Sequence, residues 1–166
     1  MQRAVFLDRD GVLNVDHGYV HKVNDLQLIP GVGAALAELK RRGFLLVVVS
    51  NQSGVGRGYF TAADVDAFHA AMQSLLRTDF DVAINRFYVC YDTPQTPSLR
   101  RKPAPGMVLE AARDLGLDLS SSWLVGDRDT DIECGQAAGV RSIHITKGAP
   151  HACLLYTSPS PRDATL

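Results

Sequence analysis

The chain is 166 residues long, 46% hydrophobic and 21% charged, which suits one globular domain with a sizeable core and argues against two domains or a disordered tail protein. Its 17 basic and 18 acidic residues leave a net charge of -1, so there is no overall field to hold a polyanion and nucleic acid is excluded as the main partner. The longest apolar run, 44–49, is too short to cross a bilayer, Met1-Gln2-Arg3 leads into no cleavage signal, and Cys90, Cys134 and Cys153 offer no close pair, so the expectation is a cytoplasmic protein with free thiols and no membrane partner.

Residues 4–7 form a short apolar run of the kind that is buried on both faces of a sheet. Asp8-Arg9-Asp10-Gly11 follows. Two carboxylates spaced by two at a strand end can both face a crevice once the chain leaves the pleat, and Gly11 permits the tight turn; alone, the pair also suits a plain acidic turn. Val32, Leu36 and Leu39 then predict a helix stopped by Gly43. A second strand, 44–49, ends in Ser50-Asn51-Gln52-Ser53-Gly54, which is either an ordinary polar turn or a loop whose hydroxyl, amide and backbone N–H groups hold a phosphate.

Val65, Phe68, Met72 and Leu75 share a helical face, with Thr61 as N-cap and Asp64 three residues on. Residues 87–89 read as the third strand. Arg100-Arg101-Lys102-Pro103 precedes the next helix, marked by Val108, Ala111, Ala112 and Leu115 and ended by Gly116; its cations are phosphate donors or a solvated basic run. A fourth strand, 123–125, leads into Gly126-Asp127-Arg128-Asp129-Thr130-Asp131 and a helix over 132–138, where Asp129 or Asp131 can also serve as a cap. The last strand is 142–145. From Leu154 onward the chain has no period and two prolines, and it resembles translated adapter sequence. The expectation is one domain over 1–150 and a non-core, non-native tail over 151–166 without function.

Strands alternating with helices predict an α/β fold with a central parallel sheet and helices on both faces. Ligands in such folds sit beyond the carboxyl ends of the strands. Each polar signal follows a strand, so acids, a hydroxyl and a cation converge on one crevice, and their oxygen-rich set suits Mg²⁺. The partner expected there is a small phosphorylated metabolite.

Asp8-x-Asp10-Gly11, Ser50-Asn51, Lys102-Pro103 and Gly126-Asp127-x-x-x-Asp131 resemble the four motifs of the haloacid dehalogenase (HAD) superfamily of phosphohydrolases. The strings 6–14, 16–21, 50–58 and 101–107 look like its heptose-bisphosphate and histidinol-phosphate phosphatase group, over residues 4–150. The resemblance implies a three-layer Rossmann-like fold without a large cap domain. It also implies Asp8 as nucleophile, Asp10 as acid and base, and Mg²⁺ on Asp8, the Asp10 carbonyl and Asp127. Ser50, the Asn51 backbone and Lys102 would stabilise the transferring phosphoryl group, with Asp131 orienting Lys102 or a metal-bound water. Arg101 would hold substrate, Arg57 in the Gly-flanked loop is either a second substrate cation or a solvated loop charge, and His17 would be either a substrate contact or part of the loop structure.

The implied reaction is Mg²⁺-dependent removal of the 7-phosphate from D-glycero-D-manno-heptose 1,7-bisphosphate. The alternatives are histidinol phosphate as substrate or, third, an impaired protein that only binds a phosphate ligand. A phosphotransferase would need a cap domain to exclude water, and the chain leaves little room for one. The group's zinc loop begins C-P-H and ends C-x-C before the Arg-Lys-Pro motif. Here Cys90 is followed by Tyr91, and Ser98 and Arg100 occupy the final pair, so no zinc is expected. A monomer is the default.

Overall fold

In β1 (Arg3–Leu7) Ala4 and Phe6 enter one core while Val5 and Leu7 enter another. β2 (Phe44–Asn51) repeats the pattern, Val47 and Val49 on the first side and Leu46 and Val48 on the second. A strand can be apolar throughout only if both faces of its sheet are covered, and both are. α1 (Val32–Arg41) and α3 (Ala62–Phe80) cover one face through Leu36, Phe68, Met72 and Leu76. The other lies under α4 (Gly106–Leu115) and α5 (Asp129–Ala138), through Met107, Val108, Ala111 and Cys134. Burial of a side chain such as Phe6 or Phe68 contributes about 1.5–3 kcal/mol.

The computed structural model describes residues 1–146 and 155–157. With β3 (Arg86–Cys90), β4 (Trp123–Gly126), β5 (Arg141–Ile145) and β6 (Leu155–Thr157), the sheet runs β3-β2-β1-β4-β5-β6. The pairs from β3 through to β5 are parallel, and the sheet is the expected three-layer α/β arrangement. β6, which the sequence pattern does not announce, pairs antiparallel with β5. The rest of the expected tail lies outside the described residues. Between β1 and α1 there is one short 3-10 turn, Val23–Asp25, and between β2 and α3 one helical turn, α2 (Ser53–Gly56), so neither connection carries a large cap. No helix among the described residues is long and apolar enough to cross a membrane.

Two local details differ from the sequence reading. β2 continues two residues past the predicted end, because Ser50 and Asn51 still pair with Val89 and Cys90. On α3, Val65, Phe68 and Met72 are buried as the spacing indicates, but the last member of the stripe is Leu76, with Leu75 half-buried. The capping box at the start of α3 forms as the spacing indicates: Thr61 Oγ1 accepts from the Asp64 N–H at 3.1 Å and Asp64 Oδ2 accepts from the Thr61 N–H at 2.9 Å.

Candidate active site

The strand order reverses between β1 and β4, and a cleft of about 490 Å³ opens at their carboxyl ends. β1 delivers Asp8 and Asp10 to it. The turn closes with Gly11 N–H donating to the Asn14 carbonyl at 2.9 Å, and Gly11 has φ +85°. A Cβ there would lie 2.1 Å from Asp127 Oδ2, so glycine is required both by conformation and by the approach of Asp127 from the end of β4.

Lys102, 3% exposed, is the electrostatic centre of the site. Its Nζ donates to Asp8 Oδ1 at 3.0 Å, to Asp131 Oδ1 at 2.6 Å and to the Val49 carbonyl at 2.8 Å. Although burial alone would pull Lys102 down, Asp8 and Asp131 hold it well above the usual lysine range, so it is an ammonium at neutral pH. Asp8 moves from 3.8 up to about 7, chiefly through burial; Lys102 opposes the shift, and Asp131 and Asp127 add to it.

Oxygens of Asp8, Asp127 and Asp131 lie within 4.8 Å of one another. Three carboxylates around one ammonium leave an excess of negative charge. A hard divalent cation with oxygen ligands fits that set. Both oxygens of Asp131 are engaged: Oδ1 holds Lys102, and Oδ2 accepts from the Arg128 N–H at 3.2 Å, at the first turn of α5. It both caps and orients.

Asp10 is held by three donors. Arg9 Nε and Asn14 Nδ2 reach Oδ1 at 2.8 and 3.0 Å, and Gln52 Nε2 reaches Oδ2 at 3.1 Å. Gln52 also donates to Ser50 Oγ at 2.9 Å, leaving the buried Ser50 hydroxyl proton for another acceptor. Asn51 and Lys102 exchange reciprocal bonds: Asn51 Nδ2 donates to the Lys102 carbonyl and the Lys102 N–H donates to Asn51 Oδ1, both at 3.1 Å. That pair clamps the Arg-Lys-Pro segment onto the end of β2. It occupies the side chain of Asn51, a residue that lines the cleft.

At the rim stand Arg57, Arg101 and Arg128. Arg101 is fixed by its NH1 donating to the Asp92 carbonyl at 2.9 Å and by its N–H donating to Ser98 Oγ at 3.0 Å. Ser98 Oγ also accepts from the Arg100 N–H at 3.1 Å, and Cys90 Sγ reaches Asp92 Oδ2 at 3.4 Å. The segment after β3 is thus closed by hydrogen bonds around Ser98. The Gly-bearing stretch after Asn51 is the helical turn α2 rather than an open loop, with Ser53 and Gly54 at the cleft wall.

His17 is exposed and is not among the residues that line the cleft; Asp16, Gly18 and Tyr19 of the same loop are. His21 stacks on Phe60 with ring centroids 4.5 Å apart and meets the Tyr19 carbonyl through Nδ1, so it serves the loop. Sequence reasoning passes over Gln52, Asn14, Tyr19 and Arg128. For Gln52 a signal exists, since it stands two residues after Ser50 and so points to the same side of the sheet. The others depend on loop conformation.

A HAD-hydrolase-like family model matches residues 99–165. The chain is 43% identical over 147 residues to D-glycero-beta-D-manno-heptose-1,7-bisphosphate 7-phosphatase of Haemophilus ducreyi, covering 85% of this chain and 81% of that protein. It is 45% identical over 155 residues to the Escherichia coli K12 protein of the same name, covering 89% and 81%. Among solved structures, the D,D-heptose 1,7-bisphosphate phosphatase from B. bronchiseptica, complexed with magnesium and phosphate, superposes with a TM-score of 0.80 at 31% identity, covering 85% of this chain and 79% of that one.

Proposed function

We propose, from the premise that this chain belongs to the HAD family of phosphatases that includes these heptose-bisphosphate enzymes, that it removes the 7-phosphate of D-glycero-D-manno-heptose 1,7-bisphosphate through an aspartyl phosphate. The observation that carries the mechanism is the junction of Asp8 and Asp10 at one strand end with Lys102 bonded to Asp8 at 3.0 Å.

An Asp8 oxygen attacks phosphorus as the bond to the sugar oxygen breaks, and Asp10 gives its proton to that oxygen. Asp10 then takes a proton from a water whose oxygen attacks the phosphoryl group, releasing inorganic phosphate and restoring the Asp8 carboxylate. Lys102, the Ser50 hydroxyl and the Asn51 backbone face the charge that develops on the phosphoryl oxygens. Mg²⁺ held by Asp8, the Asp10 carbonyl and Asp127 would supply the positive charge that keeps Asp8 ionised and offsets the phosphate. A single negative group does not need Arg57 and Arg101 as well as Lys102; a second phosphate gives the rim cations their partner.

The segment after β3 needs no zinc on this reading, since Ser98 and Arg101 secure it. All residues given a role in this mechanism lie within 1–150, although β6 extends the sheet beyond that bound. Its test is phosphate release with Mg²⁺ from heptose 1,7-bisphosphate and from histidinol phosphate, with Asp8→Asn alongside. Turnover of the heptose ester, lost in the variant, is expected. Preference for histidinol phosphate would overturn the substrate, and activity that persists in Asp8→Asn would overturn the nucleophile.

A further inference from the structure

Behind the cleft lies Arg9, 0% exposed and fixed at four points. Its Nε donates to Asp10 Oδ1 at 2.8 Å, its NH2 donates to the Val20 carbonyl at 2.7 Å, its NH1 meets His69 Nε2 at 3.3 Å, and its guanidinium carbon lies 4.4 Å from the centre of the Phe68 ring. A guanidinium has no acceptor, so His69 Nε2 accepts and the imidazole carries its proton on Nδ1. Burial, reinforced by Arg9, pushes His69 down to about 4, which keeps the ring neutral and able to accept. The ring itself is locked by stacking on Phe87, centroids 4.2 Å apart.

An arginine with no exposure is an expensive way to fill a core, because an apolar side chain of similar size would pack there without desolvating a charge. What Arg9 touches gives its use. One end meets the carboxylate of Asp10, and another meets Val20, at the end of the loop that brings Asp16, Gly18 and Tyr19 to the cleft.

We propose that Arg9 and His69 are positioning residues for proton transfer: His69, on α3 and outside the cleft, aims the Arg9 guanidinium, and Arg9 fixes the Asp10 carboxyl and the Tyr19 loop. This rests on the reading of Asp10 as the group that protonates the leaving oxygen. A positioned general acid contributes about 10²–10⁴-fold, so a modest misplacement of Asp10 through loss of the His69 acceptor should cost about tenfold.

The test uses leaving groups. A sugar alkoxide needs the proton, whereas p-nitrophenolate departs as an anion, so kcat/KM for heptose 1,7-bisphosphate is compared with that for p-nitrophenyl phosphate. Asp10→Asn must lose the sugar ester selectively; equal loss on both esters would overturn the acid reading itself. Given that selectivity, His69→Phe, which keeps a stacking ring without the acceptor, should lose about tenfold on the sugar ester and stay within about twofold on the aryl ester. His69→Gln, whose amide oxygen can accept from Arg9, should restore the sugar ester to within about threefold. His69→Asn, too short to reach Arg9, carries the same expectation as His69→Phe if the latter fails to fold. Equal losses on the two esters, no loss on either, or no rescue by His69→Gln would each sink the positioning role while leaving Asp10 as the acid.

Discussion

Two buried groups at this site should set opposed pH dependences of folding stability in metal-free buffer. Asp8 is raised from 3.8 to about 7, first by burial. Between those values the folded protein holds a proton that the unfolded chain has released, so stability is fully present below pH 3.8 and declines as pH rises to about 7. His69 is lowered from 6.5 to about 4, first by burial and then by Arg9. Between pH 4 and 6.5 the unfolded chain holds the extra proton, so this contribution makes stability rise with pH over nearly the same window. At 1.36 kcal/mol per pKa unit the two effects come to about 4 and about 3 kcal/mol, large against a domain stability of about 5–15 kcal/mol, yet they nearly cancel.

The wild-type profile should therefore be almost flat from pH 4 to 7 in chelator. Urea unfolding of Asp8→Asn should give stability that climbs by about 3 kcal/mol over that range, and His69→Gln stability that falls by about 4 kcal/mol. Saturating Mg²⁺, which binds ionised carboxylates, should remove the fall in His69→Gln. The carboxyls held low, Glu38, Asp64, Asp92 and Asp118, begin to lose their contributions only as pH falls through their ordinary values of 4.5 for Glu38 and 3.8 for the aspartates, at the acid edge of this window. Profiles for both variants that run parallel to the wild type would refute the reasoning.

Gly11→Ala should destabilise the protein by about 2 kcal/mol through its left-handed backbone, and should weaken Mg²⁺ binding at least about tenfold in calorimetry because the new methyl displaces Asp127. Gln52→Leu removes the donor shared by Ser50 and Asp10 and should lower kcat about 10- to 100-fold with KM nearly unchanged, as measured by phosphate release. Arg101→Ala should raise KM for the heptose bisphosphate about tenfold while leaving p-nitrophenyl phosphate hydrolysis within about twofold; equal effects on both would remove Arg101 from substrate binding.

Much of this molecule was legible from local patterns. The doubly apolar strands imply a sheet covered on both sides, and a parallel sheet puts its chemistry at strand ends, which places Asp8, Lys102 and Asp131 together before any coordinate is known. The capping box on α3 is likewise a short-range pattern, complete within four residues. What stayed hidden depends on distance along the chain. Arg9 reads as the spacer of D-x-D, and nothing near it reveals His69, sixty positions away on α3. Ser50 and Asn51 looked like residues of a turn because their strand character comes from pairing with β3, which the run 44–49 does not contain.

The bond between Lys102 and Asp8 spans 94 residues, and the second carboxylate on Lys102 comes 29 residues later still. During synthesis, Asp8 and its strand leave the ribosome long before the cation that neutralises it, and Lys102 precedes Asp131. A product that ends between Lys102 and α5 carries Lys102 without its second partner, and one that stops before Lys102 carries Asp8 with no ammonium to receive it. The charge network of Asp8, Lys102 and Asp131 is therefore complete only when β4 and α5 have docked. Truncated or stalled copies that lack β4 and α5 leave the edge of β1 unpaired and part of the apolar face uncovered, which gives quality-control proteases an open target instead of a competing partial enzyme.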